Sequence, residues 1–144
     1  MVKTFVTVID TSGSVEEEKL RRFLEKTYQI LKSGQESEDR VNFHLVQCDA
    51  LVQKDVKITS EKELEQVMED LTLYGRGGTD FRPAFEYIEE LRKNGELTNL
   101  NGMLYFTDGM GVYPRKKPEY PVAFIYDSEV WIRFQKCRPG RFVI

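Results

Sequence analysis

"VIDTSGSV", Val8 to Val15, is the stretch that decides how this chain folds. An apolar run ends in an aspartate. Two hydroxyls follow at alternate positions, Ser12 and Ser14, on either side of Gly13. Upstream, Val2 to Ile9 is β-branched and apolar enough to be buried on both faces, as a central strand would be. Downstream, Leu20, Phe23, Leu24, Tyr28 and Leu31 recur at helical spacing across Val15 to Lys32, with Gly34 as the C-cap. One carboxylate and two hydroxyls therefore occupy the turn between a buried strand and a helix.

The same alternation continues along the chain. Val41 to Cys48 reads as a second strand and Leu51 to Ile58 as a third. The short Asp49-Ala50 link between them predicts an antiparallel hairpin. Ser60 opens a helix whose capping box is completed by Glu63, with Leu64, Val67, Met68 and Leu71 on one face. "LYGRGGTDF", Leu73 to Phe81, is a glycine-rich loop. A third helix follows from Asp80 to Asn94, with Pro83 in its first turn and Gly95 at its end. Leu100 to Thr107 is a strand running into "FTDG". Pro121 to Tyr126 is a further strand, and Arg141 to Ile144 is a candidate last one. Strands alternating with helices predict a Rossmann-like α/β three-layer sandwich, its sheet mostly parallel with one antiparallel edge strand. The 144 residues suit one domain.

Composition narrows the function. Net charge is −3 and the pI about 5.3, which argues against nucleic-acid binding. No apolar stretch approaches a membrane span and no secretory signal opens the chain, so a cytoplasmic domain with no membrane partner is expected. Cys48 and Cys137 match no zinc or redox spacing, and Cys48 reads as a small buried hydrophobe.

In parallel α/β sheets, ligands sit beyond the carboxyl ends of the strands, where strand order reverses. If the first strand and the Tyr105 strand flank that point, Asp10, Ser12, Ser14, Thr79 and Asp108 converge on one crevice. The donors are all oxygen, with no sulfur and no imidazole. Such a set suits Mg2+, Mn2+ or Ca2+, with Mg2+ the best match.

"DTSGS", "GGTD" and "FTDG", in this order, resemble the metal-ion-dependent adhesion site of von Willebrand factor A (VWA) domains. The resemblance extends over nearly the whole chain. It implies that Ser12, Ser14 and Thr79 touch the metal, that Asp10 and Asp108 act mostly through bound water, and that a partner protein's carboxylate fills an open position. Neutral hydroxyl ligands leave the ion's charge poorly neutralised, so its pull on an external carboxylate stays strong. The chain looks closest to the VWA-like C-terminal domain of predicted metallopeptidases, often encoded near AAA+ ATPases of the MoxR type. It would then be an accessory, non-enzymatic, metal-dependent protein-binding module, and part of a longer protein.

Each residue also has a plainer reading. Ser14 with Glu17 fits a capping box. Asp80 reads as an N-cap or a supporting acceptor, and Asp49 as a turn-former. His44, the only histidine, reads as a polar-face residue, so neither a histidine-paired zinc site nor a Ser-His-Asp triad is available. Trp131 reads as core or lid. Gly75, Gly77 and Gly78 lack the Gly-Lys-Ser/Thr of a P-loop and read as letting the backbone carry Thr79 to the ion. The alternative function is a haloacid-dehalogenase-type phosphohydrolase with Asp10 as nucleophile. That chemistry wants an acid two residues on, where this chain has Ser12.

Overall fold

The structure, a computed structural model, describes residues 2–12, 17–33, 40–75, 77–107, 111–126, 129–133 and 141–143. The expected elements are present. Strand β1 spans Val2–Asp10, helix α1 Glu17–Ser33, β2 Arg40–Cys48 and β3 Val52–Ile58. Helices α2 (Glu61–Glu69) and α3 (Arg82–Lys93) follow, then β4 (Leu100–Thr107) and β5 (Val122–Tyr126). Two short strands, β6 (Glu129–Arg133) and β7 (Arg141–Val143), close the chain.

The sheet order is β3-β2-β1-β4-β5-β6-β7. Strands β2, β1, β4 and β5 are mutually parallel, and β3 runs antiparallel at one edge, as the short link of residues 49–51 requires. The order reverses between β1 and β4, so the crevice of the switch point opens beside Asp10. The candidate last strand is present as β7, and the tail adds β6, which the sequence reading did not include. Strand β6 pairs antiparallel with β5, and β7 with β6. Only two residues separate β5 from β6, a link too short for a crossover helix.

The two faces of the sheet have separate cores. On one, Ile9, Phe43, Leu45, Ile58, Phe106 and Ile125 meet Leu20, Leu24 and Tyr28 of α1 and Leu64 and Met68 of α2. On the other, Val6, Val8, Val46, Cys48, Met103, Tyr105 and Phe124 meet α3 through Ala84, Phe85, Ile88 and Leu91. Both faces of the central strands are apolar because helices cover both. Phe81 anchors the second core, with ring centroids 4.9 Å from Tyr105, 5.1 Å from Tyr113 and 5.1 Å from Phe124.

The helix ends show why the elements stop where they do. Ser60 Oγ accepts the Glu63 N–H at 3.1 Å, but Glu63 reaches back to the N–H of Thr59 (2.8 Å) instead of Ser60. At the other end of α3, Gly95 takes φ +80. Its N–H donates to Arg92 O at 3.2 Å and the Glu96 N–H to Leu91 O at 3.0 Å, the bond pair of a Schellman cap. Gly34 lies outside the described residues, as do the side chain of Trp131 and Cys137.

His44 is not an ordinary polar-face residue. It is buried, and its Nδ1 lies 3.0 Å from Asp55 Oδ1, while the Tyr87 hydroxyl donates to Asp55 Oδ2 at 2.5 Å. This network joins β2, β3 and α3. Burial, then Asp55, push the Tyr87 pKa up.

Candidate metal centre

The site starts at the last residue of β1. Asp10 is 1 % exposed, held between β2 and β4. Its Oδ1 accepts the Ser12 N–H at 2.9 Å and the Ser12 hydroxyl at 2.5 Å. This local bond turns the chain sharply out of the strand. Its Oδ2 accepts the hydroxyl of Thr107, the last residue of β4. The Asp10 carboxylate is therefore enclosed at the base of the crevice and does not stand on its exposed rim.

Ser12 and Thr79, 67 positions apart, share a hydrogen bond between their hydroxyls. Both side chains are half-buried. Asp10, Ser12 and Thr79 thus form one chain of contacts at the carboxyl end of β1. Ser14 and Asp108 lie outside the described residues. Thr107 brings the start of the Asp108 segment to Asp10, and Gly111 brings back its end. A Cβ on Gly111 would lie 2.9 Å from Thr79 Cγ2 and 3.0 Å from the Phe81 ring. Phe81 N–H also donates to Val112 O at 3.2 Å. Beside the site the Thr11 hydroxyl is buried without a partner.

Two side chains at the end of β2 hold the glycine-rich loop in place. Gln47 Nε2 donates to Thr72 O at 2.9 Å and Gln47 Oε1 accepts the Tyr74 N–H at 2.7 Å. Asp49 is 6 % exposed and accepts from Leu51 N (3.0 Å), Gln53 Nε2 (2.9 Å) and Gly77 N (2.8 Å). Burial alone would raise the Asp49 pKa. The donated hydrogen bonds outweigh it, and the net shift is downward. Asp49 is therefore more than a turn-former. The glycines serve it: a Cβ on Gly75, which has φ +110, would lie 2.8 Å from Asp49 Oδ2, and one on Gly77 2.9 Å from the same atom. Gly78 meets nothing within 4 Å. Asp49 and Gln47 thus hold the loop that carries Thr79, and Gly75 and Gly77 let its backbone pass close to Asp49. Polar residues at the carboxyl end of β2, the strand beside β1, were the available signal for these two.

Asp80 pairs with Arg82 at the start of α3. It accepts from Arg82 N and from the Arg82 guanidinium, each at 3.0 Å, and this pairing holds its carboxyl below the usual range. Cys48 is buried among apolar groups, and burial pushes its thiol up to about 11.

The donors that the described residues bring together are of the oxygen kind a hard cation takes. Among the described residues no cluster of three or more His, Cys, Asp or Glu could hold a metal. What converges instead is one carboxylate backed by hydroxyls, all oxygen, partly shielded from water.

The sequence profile of the "VWA-like domain (DUF2201)" family matches residues 5–133. An uncharacterized protein of Thermotoga maritima (strain ATCC 43589 / DSM 3109 / JCM 10099 / NBRC 100826 / MSB8) is 33% identical over 102 residues, which are 71% of this chain and 22% of that one. The chain therefore spans about a fifth of this relative's length. The fold is similar to an aerotolerance-related membrane protein from Bacteroides fragilis NCTC 9343, at TM-score 0.60 and 15% identity, over 99% of this chain and 81% of that one. It is also similar to the pilus adhesin SpaC from Lactobacillus rhamnosus GG, at TM-score 0.50 and 18% identity, over 76% of this chain and 15% of that one. At such identities the two structures speak for the fold alone. The match across nearly all of its length makes this chain a member of the VWA-like DUF2201 family.

Proposed function

We propose that this domain is a metal-dependent protein-binding module, with Asp10, Ser12, Ser14, Thr79 and Asp108 holding one divalent cation, Mg2+ above Mn2+ or Ca2+. The observation that carries the reading is the meeting of the Ser12 and Thr79 hydroxyls in front of the buried Asp10 carboxylate. Asp10 orients Ser12 from behind. Thr107 fixes Asp10. When bound, the ion would supply a positive centre that an acidic side chain of a partner protein completes.

The rim supports a docking role. Leu51 is 66% exposed, Tyr74 42% and Val112 50%, and all three lie on connections at the carboxyl end of the parallel strands. Apolar and aromatic surface around a charged centre is the usual make-up of an interface core. Tyr113, the residue after Val112, is half-buried, and its ring packs on Phe81 and Phe124.

A phosphohydrolase with Asp10 as nucleophile is less well supported. Both Asp10 oxygens already accept hydrogen bonds, and no acid stands at position 12. The domain alone is read as non-enzymatic. Membership of a VWA-like family and the greater length of the Thermotoga relative support a setting inside a longer protein. A predicted metallopeptidase working with a MoxR-type AAA+ ATPase is the setting proposed.

The test is retention of partners from extract of the source cells in Mg2+ and in EDTA, with wild type and Thr79→Ala. Partners retained only by wild type in Mg2+ are expected. The same partners held in EDTA and by Thr79→Ala would end the metal-dependent reading.

A further inference from the structure

A second site lies at the other end of the molecule. Helix α2 begins where β3 ends, and Ile58 at that end pairs with Phe43 in the first half of β2. This is the amino end of the parallel strands, away from Asp10. There a cleft of about 220 Å3 separates α1 from α2, lined by Glu25, Tyr28, Gln29, Glu61, Leu64, Glu65 and Met68. Its floor is apolar: Leu64, Met68 and the Tyr28 ring are buried. Its rim is acidic, and Glu25, Glu61 and Glu65 are exposed. Among the described residues none of these three has an ion-pair partner.

The independent observation is Tyr28. It is 2 % exposed, yet its hydroxyl has no hydrogen-bond partner. Leaving a buried hydroxyl unpaired is unfavourable, so such an atom beside a cleft marks a missing partner. Tyr28 lines the cleft together with Glu61 at the start of α2, and burial, then the Glu61 and Glu63 carboxylates, push its pKa up. Glu63 Oε2 itself accepts both the N–H and the hydroxyl of Thr59.

We infer that this cleft binds one organic cation on an apolar stem, an ammonium or guanidinium, as a partner's lysine or arginine side chain or a free polyamine presents. The stem would lie on Leu64, Met68 and the Tyr28 ring. The charged head would meet Glu61, Glu65 and Glu25, and donate to the Tyr28 hydroxyl. The positive start of α2 opposes a cation with about half a unit charge, which three carboxylates outweigh. The volume suits a side chain and falls below the range of roughly 300–1,000 Å3 typical of drug-sized ligands. A bare metal ion is a poorer match, because no metal-holding acidic cluster occurs among the described residues.

The experiment is an NMR titration of the full 15N-labelled chain in EDTA, so that loss of the Asp10 site cannot affect the outcome. The probes are a capped Gly-Arg-Gly peptide, the same peptide with citrulline, and spermidine. Saturable shifts centred on Tyr28, Leu64 and Met68 are expected with a cation and not with citrulline. Glu61→Gln with Glu65→Gln should weaken binding about tenfold, and Tyr28→Phe about threefold. Tighter binding of the peptide assigns the site to a partner's side chain; tighter binding of spermidine assigns it to a free amine. Because the glutamates are exposed, the double variant should keep its fold, checked by circular dichroism. Equal binding of citrulline, shifts centred elsewhere, no saturation with either cation, or an unchanged affinity in a folded double variant would each overturn the inference.

Discussion

The Asp49 carboxylate accepts the Gly77 N–H at 2.8 Å, tying the end of β2 to the loop that carries Thr79. The sequence separation is 28 residues. Without this bond the glycine-rich segment would be free to move, and Thr79 would meet Ser12 only at an entropic cost.

Asp49→Ala should therefore destabilise the fold by about 2–3 kcal/mol, because three donors lose a charged acceptor in a buried site. It should also weaken Mg2+ uptake while leaving every proposed ligand in place. Chemical denaturation and calorimetry on the same variant check the two effects.

The depressed Asp49 pKa has a definite consequence for acid stability. A carboxylate favoured in the folded state contributes fully above its unfolded value of 3.8, and its contribution is lost as pH falls below that. Wild type should lose this increment on acidification under pH 4, and Asp49→Asn should lack that part of the pH dependence. Urea midpoints measured from pH 6 down to pH 2.5 on both proteins decide the matter; parallel curves would refute it.

Gly75 and Gly78 should respond oppositely to alanine. At Gly75 a Cβ meets Asp49 Oδ2 and Thr11 Oγ1 at 2.8 Å each, on backbone with φ +110. A loss of about 1–3 kcal/mol is expected. At Gly78 a Cβ meets nothing, and φ is not positive, so alanine should be neutral or stabilise by about 0.4–1 kcal/mol. Thermal melts of the two variants provide the comparison.

Removing Thr79 and removing Asp10 should also differ. Thr79→Ala deletes a half-buried hydroxyl and should abolish metal uptake with little change in melting temperature. Asp10→Ala removes the buried carboxylate that accepts from the Thr107 hydroxyl, the Ser12 hydroxyl and the Ser12 N–H, and should cost about 2–3 kcal/mol of stability as well. Paired calorimetry and melting curves separate the roles. Saturable Mg2+ binding by Thr79→Ala equal to wild type would count against the site.

Asp55→Ala should be more damaging than Tyr87→Phe. The first leaves His44 and the Tyr87 hydroxyl without their shared acceptor, at about 2–4 kcal/mol; the second removes one donor, at about 1 kcal/mol. Equal effects in urea unfolding would show that the network contributes little beyond packing.

The sequence by itself determined the alternation of β1, α1, β2, β3 and α2, the antiparallel β3 edge, and the order in which Asp10, Ser12 and Thr79 enter the chain. Those features are local. Apolar periodicity, a short link and the Asp-x-Ser-x-Ser spacing all act within a few residues, and their physics does not depend on distant parts of the fold. Only the tertiary structure decided which side chains hold the site together. Thr107 at Asp10, Gln47 at Tyr74 and Asp49 at Gly77 are contacts across 97, 27 and 28 positions. Sheet register and loop path create them, and neither is written in the residue types. The same holds for Tyr113, whose place on Phe81 and Phe124 depends on where β5 stacks, and for β6, whose five residues became a strand because β5 left an edge to pair with.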